Sequence, residues 1–273
     1  MKSTVVVRAA ASCALAALGA RAEKKGYAPV NGLQMYYEVH GKGRPVVLLH
    51  GGGSTIETSF GKVLPSLARS RQVIAFEQQG HGHTPDVEGR PFSFEQSADD
   101  AAALLRYLGI EKADFWGYSN GGTIALQVAL RHPGLVRKLV LVSALFKRDG
   151  APPEFWESMH RAKLEEMPAE LQAAYLATAP HPEQLPIFFQ KSVQRMLTFK
   201  DIRAEDIRSI KAPALVLIGD RDVVRPEHAV ETVRLLQHAE LAVLPGADHA
   251  AVVQRADLLL SIVPDFLDSP MPR

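Results

Sequence analysis

Short apolar runs recur along this chain, separated by stretches in which apolar residues return at every third or fourth position. Pro45-Val46-Val47-Leu48-Leu49, Gln72-Val73-Ile74-Ala75-Phe76, Lys138-Leu139-Val140-Leu141-Val142 and Ala214-Leu215-Val216-Leu217-Ile218 are continuous rather than alternating. Strands buried on both faces of a sheet read this way. Ala113-Asp114-Phe115-Trp116 and Glu240-Leu241-Ala242-Val243-Leu244 add two more strands. Ahead of them, Tyr27 to Val30 and Leu33 to Val39 flank Asn31-Gly32, the dipeptide of a type I′ turn, and predict a hairpin. Helices fall between the runs. Ser93-Phe94-Glu95-Gln96 has the form of a capping box, opening a helix to Leu108 that Gly109 closes. Thr123 to Leu130, Pro226 to Gln237 and Ala250 to Leu267 are also helical, the last expected to bend at Pro264. Strand and helix in alternation predict an α/β fold with a mostly parallel, doubly wound sheet.

From Leu145 to Lys211 the rhythm stops. No strand-like run occurs, prolines stand at 152, 153, 168, 180, 182 and 186, and helical patches cover Pro168 to Ala177 and Leu185 to Leu197. Ordinary connections between strand and helix are far shorter. The segment reads as a helical cap inserted between two strands. That divides the chain into a core of residues 23–144 and 212–273 and a cap of residues 145–211. The alternative is an elaborated surface loop.

Composition narrows the partners. The chain has 273 residues, 47% hydrophobic and 22% charged, which suits one globular domain with a large core. Its formal net charge is +1, with no long basic run and no basic–aromatic alternation, so no nucleic-acid partner is expected. The ten histidines are scattered without a ligand spacing such as H-E-x-x-H, so no metal is expected.

The first residues have the form of a targeting segment. Lys2 and Arg8 make a positive start, Ala9 to Ala20 is small and apolar, and Ala20-Arg21-Ala22 is an A-x-A site. The stretch is too short to span a bilayer, so no integral membrane segment is expected in a mature chain. Residues 1–22 are read as a secretory signal, cleaved after Ala22, which predicts a periplasmic or secreted protein. The alternative is a plain N-terminal extension on a cytoplasmic chain. Cleavage would remove Cys13, the only cysteine, and with it any disulfide or thiol chemistry.

Gly117-Tyr118-Ser119-Asn120-Gly121 lies between a strand and a helix and reads G-x-S-x-G. Glycines permit a turn sharp enough to hold the Ser119 hydroxyl clear of its neighbours, and the following helix aims free N–H groups at it. Other motifs fall in order around it. They are His50-Gly51-Gly52-Gly53, Gln79-Gly80-His81-Gly82-His83-Thr84, Gly219-Asp220-Arg221-Asp222 and Pro245-Gly246-Ala247-Asp248-His249. In this set and order the chain resembles the α/β-hydrolase family, over Leu33 to Leu267.

The resemblance implies a Ser119–Asp222–His249 catalytic triad and no cofactor. Ser119 would be the nucleophile and His249, after the last strand, its base. Asp222 would orient the imidazole, with Asp220 the competitor, two residues earlier. The other place where the family can put its acid, after the Lys138 strand, holds Ser143-Ala144. Oxyanion donors would be the backbone N–H of Asn120 and of Gly52, or alternatively Gly53. His50 is read as pinning its loop, and His228 and His238 as solvated. Three departures stand out: Glu77-Gln78-Gln79-Gly80 where the family often has Asp-x-Arg-Gly, Asp248 before the histidine, and Asn120 after the nucleophile. The first should alter charge near the pocket, and Asp248 should cap the last helix or act on His249.

A serine nucleophile argues against the dehalogenases and epoxide hydrolases of this fold, which use aspartate. The implied reaction is hydrolysis of carboxylic esters or lactones of small apolar or aromatic molecules. Carbon–carbon bond hydrolysis, cofactor-free haloperoxidation and a weakly catalytic ligand receptor are the alternatives. Phe155, Trp156, Met159, Tyr175, Phe188, Phe189 and Met196 are the cap side chains expected over the acyl pocket.

Overall fold

The computed structural model describes residues 22–272. The expected signal segment lies outside them, save for Ala22. Eight strands form one sheet: β1 Lys24–Val30, β2 Leu33–His40, β3 Arg44–Leu49, β4 Arg71–Phe76, β5 Ala113–Tyr118, β6 Val136–Val142, β7 Ala214–Gly219 and β8 Ala239–Leu244. Their spatial order is β1-β2-β4-β3-β5-β6-β7-β8. β1 and β2 pair antiparallel, as do β2 and β4; every other pairing is parallel. The hairpin turns through Asn31 and Gly32 at φ 47° and 80°, as a type I′ turn requires.

The helices are α1 Ile56–Phe60, α2 Leu64–Leu67, α3 Phe94–Tyr107, α4 Asn120–Arg131, α5 Pro153–Arg161, α6 Ala169–Thr178, α7 Leu185–Leu197, α8 Ala204–Ser209, α9 Pro226–Leu235, α10 His249–Gln254 and α11 Ala256–Asp268. Both faces of the sheet are covered, which is why the central strands carry continuous apolar runs. Val47, Leu49, Phe115 and Leu141 pack with α3, α4 and α9 on one face. Val46, Leu48, Trp116 and Val140 pack with α1, α2 and α11 on the other. Between β6 and β7 come α5 to α8 and no strand, as the interrupted rhythm predicts. Among the described residues no helix is long and apolar enough to cross a membrane.

Three local expectations change. Ser93 caps α3 by accepting from Gln96 N, but the Gln96 amide turns to Asp100 at 3.0 Å, so the box does not close. α9 stops at Leu235, two residues early. The last helical stretch is not continuous but breaks at Arg255, where φ is −86° and ψ 54°; Pro264 sits inside α11.

Candidate active site

The nucleophile candidate sits where β5 gives way to α4. Ser119 has φ 53° and ψ −121°, a conformation a serine holds only when its surroundings impose it. The glycines around it are demanded by space. A Cβ on Gly117 would lie 2.2 Å from the Gly121 carbonyl, and one on Gly121 would lie 1.9 Å from that of Leu49. The turn thus closes against both its own helix and the neighbouring β3.

The loops after β7 and β8 bring two partners to Ser119. His249 Nε2 is 2.9 Å from Ser119 Oγ, and His249 Nδ1 is 2.7 Å from Asp222 Oδ1. The structure therefore joins Ser119, His249 and Asp222 in one chain of hydrogen bonds; Asp220 is exposed and outside it. Asp222 Oδ1 also accepts from Val224 N at 3.0 Å, and Oδ2 from the Ser143 hydroxyl at 2.5 Å. Burial raises the Asp222 pKa, but His249, Ser143 and the Val224 N–H outweigh it and leave the group below its usual value.

The histidine-bearing turn is itself held. Asp248 caps α10 by accepting from Ala251 N at 2.7 Å, one of the two roles foreseen for it. The Tyr118 hydroxyl donates to the His249 carbonyl at 2.9 Å. Neither that bond nor the Ser143 bond has a signal in the sequence.

The glycine loop after β3 packs on this centre. A Cβ on Gly51 would be 3.5 Å from Ser119 Cβ, and one on Gly52 only 2.3 Å from Asn120 Nδ2. Gly53 N–H is committed to His81 Nε2 at 3.3 Å. Of the two loop donors expected, Gly52 and Gly53, that leaves Gly52 as the candidate; both line the cavity over Ser119. His50 is 1% exposed and pins the loop as expected: Nδ1–H donates to Gly51 O at 2.8 Å and Nε2 accepts from Gln78 N at 3.0 Å. Burial pushes its pKa down to about 4, so it is neutral.

Two adjoining cavities open on Ser119, Asn120 and His249, one of about 350 Å³ and an inner one of about 60 Å³. Phe155, Met159, Phe188, Phe189 and Met196 line the larger, as the cap residues were expected to. Trp156 and Tyr175 do not. Trp156 packs on the core, with Nε1 donating to Arg148 O at 2.8 Å; Tyr175 stacks behind Phe188, centroids 4.6 Å apart. A cleft of about 580 Å³ lies behind Phe94 and Phe199 and holds none of the three linked residues.

One further expectation is corrected. His228 is 1% exposed, not solvated; it stacks on Phe146, centroids 4.5 Å apart, and Nε2 accepts from Phe146 N. Glu77 lines neither cavity beside Ser119; its carboxylate meets His83, whose N and Nδ1 lie at 2.6 and 2.9 Å. His238 is exposed, as expected.

A family model for the α/β hydrolase fold matches residues 44–185. The chain belongs to that family. A 2-hydroxy-6-oxo-2,4-heptadienoate hydrolase of Pseudomonas putida is 28% identical over 83% of this chain and 90% of its own. A non-heme haloperoxidase of Rhodococcus erythropolis is 27% identical over 88% and 97%. Among solved structures, the enol-lactonase of Burkholderia xenovorans LB400 superposes with a TM-score of 0.72 at 24% identity, covering 89% of this chain and all of its own. The relatives are enzymes, chiefly hydrolases, and α/β-hydrolase chemistry is the activity they support.

Proposed function

We propose that this protein is a serine hydrolase acting on small carboxylic esters or lactones with apolar or aromatic groups. The observation carrying this reading is the unbroken line from Asp222 through His249 to Ser119, opening on an apolar cavity. Residues 145–211 serve as the cap that roofs it. His249 takes the Ser119 proton as Oγ attacks the carbonyl carbon, and Asp222 stabilises the imidazolium. The N–H groups of Gly52 and Asn120 hold the oxyanion. His249 then protonates the leaving alcohol, and water attacks the acyl-enzyme by the same route in reverse.

A second reading is hydrolysis of a carbon–carbon bond. It is favoured by the names of two relatives, the heptadienoate hydrolase above and a 2-hydroxymuconate semialdehyde hydrolase of a Pseudomonas strain, 29% identical. The same residues would serve, with a carbanionic leaving group taking the proton.

The test is a panel of p-nitrophenyl esters, lactones and a vinylogous diketone acid, offered to the wild type and to Ser119→Ala. Ester or lactone turnover lost in the variant supports the first reading, and turnover of the diketone alone supports the second. A fluorophosphonate should label Ser119; labelling elsewhere would remove the nucleophile assignment.

A further inference from the structure

Helix α7 carries a buried cation to the back of the oxyanion loop. Arg195 is 2% exposed, and burial lowers its guanidinium to about 10, still protonated at neutral pH. Nη1 donates to Gln78 Oε1 at 3.0 Å. Among the described residues Nε and Nη2 have no hydrogen-bond partner, and the guanidinium lies over Phe94 and Phe92, 5.3 and 5.7 Å from the ring centroids. A half-satisfied buried charge is costly, and an apolar side chain would fill the space without that cost.

Gln78 passes the contact onward. Its Nε2 donates to the His50 carbonyl at 2.8 Å, its backbone N donates to His50 Nε2, and His50 holds the Gly51 carbonyl. The far end of the same loop is tethered by His81, which accepts the Gly53 N–H and donates through Nδ1 to Gln79 O at 2.9 Å. Phe188, also on α7, stands edge-on to His81 with centroids 4.8 Å apart. One cap helix therefore leans on both tethers of the loop that carries Gly52, and Arg195 Nη2 is 3.5 Å from where a Gly52 Cβ would stand.

We infer that Arg195 is a positioning residue. From the cap, through Gln78 and His50, it sets the Gly52 N–H, so the oxyanion site is complete only when α7 is seated on the core. The inference rests on the reading of Ser119 as nucleophile and Gly52 as oxyanion donor. Arg195 then acts on the transition state and leaves ground-state binding alone.

The experiment compares wild type, Arg195→Met, Arg195→Lys, Gln78→Met and the double methionine variant on p-nitrophenyl butyrate, with fluorophosphonate labelling rates and thermal unfolding. Each methionine variant should lose roughly 10- to 100-fold in kcat, with KM within about threefold. The double variant should be no worse than the single ones, since both cut one chain of contacts. R195K, which keeps a donor for Gln78, should recover most of the loss. Labelling should slow by the same factor as kcat, because phosphonylation charges the same oxyanion site. The unfolding temperature of R195M should hold or rise. If R195M does not fold, Gln78→Met, which leaves the cap and Arg195 intact, carries the same expectation. Additive losses, unchanged kcat, or a rise confined to KM would each overturn the inference. Wild-type enzyme that fails to label at Ser119 would overturn the hydrolase reading itself.

Discussion

The Ser143 hydroxyl donates to Oδ2 of Asp222 at 2.5 Å, while Oδ1 of the same carboxylate faces the His249 ring at 2.7 Å. The end of β6, which has no acid to offer, instead supplies the group that holds the acid. A hydrogen bond to a charged group is worth about 1.5 kcal/mol or more. Ser143→Ala should therefore lower kcat/KM roughly tenfold at unchanged fold, by letting the carboxylate swing and weakening its hold on the imidazolium. Kinetics of the variant indistinguishable from wild type would show that Val224 N–H alone suffices.

Asp222→Asn should lose on the order of 10³-fold or more in kcat, as removing the charge that orients a catalytic imidazole does. Asp220→Asn should stay within about threefold of wild type, because that side chain is exposed and outside the hydrogen-bonded line. Steady-state kinetics on one ester settle the ranking. A larger loss at Asp220 would reassign the acid.

The strands and their alternation with helices were legible because each depends on local pattern, and Ser119, Asp222 and His249 because the motifs that carry them resemble those of the family. Continuous apolar runs mark strands buried on both faces, and turn-forming glycines mark where Ser119 and the loop after β3 must bend. What stayed hidden depends on which way a side chain faces after the elements pack. Arg195 looks like any arginine of an amphipathic helix, and its partner Gln78 is 117 positions away. Ser143 and Tyr118 are ordinary strand-end residues until β7 and β8 bring Asp222 and His249 beside them. His228 begins in the first turn of α9, where exposure is the default, yet α9 lies with that face on Phe146. Trp156 and Phe155 are adjacent and chemically alike, and only the orientation of α5 sends one to the core and the other to the cavity.

Buried histidines set a pH dependence of stability. His50 and His228 are each pushed by burial from 6.5 to about 4, and His81 well below 6.5 by burial and the nearby charges. In the window from about 6.5 down to about 4 the unfolded chain binds protons that the native state refuses. Stability should therefore fall as pH falls through that window, by about 3 kcal/mol for a group shifted this far. Urea unfolding at pH 7, 6 and 5 reads the slope. His228→Asn, remote from Ser119, should flatten it; an unchanged slope in that variant would mean that His228 titrates alike in both states.

The two ways a cap side chain can matter separate in Trp156 and Met196. Trp156 is 8% exposed, lies under the Arg148 guanidinium at 4.0 Å, and stacks with Phe199 at 6.1 Å. It reaches neither cavity beside Ser119. Trp156→Ala should then cost about 3–5 kcal/mol of stability, as emptying a buried aromatic site does, while the ranking of acyl chain lengths stays as in wild type. Met196 lines both cavities beside Ser119 and is only half-buried. Met196→Ala should shift kcat/KM toward bulkier acyl groups by roughly 10-fold or more, the scale of a few methylenes of pocket, with a smaller loss of unfolding temperature than Trp156→Ala. Phe188 belongs to both sets, lining the larger cavity while packing with Phe92, Tyr175 and Leu185. Its alanine variant should move substrate ranking and stability together. Chain-length profiles and melting curves on the three variants test the division; a ranking that shifts only with Trp156 would place the acyl pocket on the core side of α5.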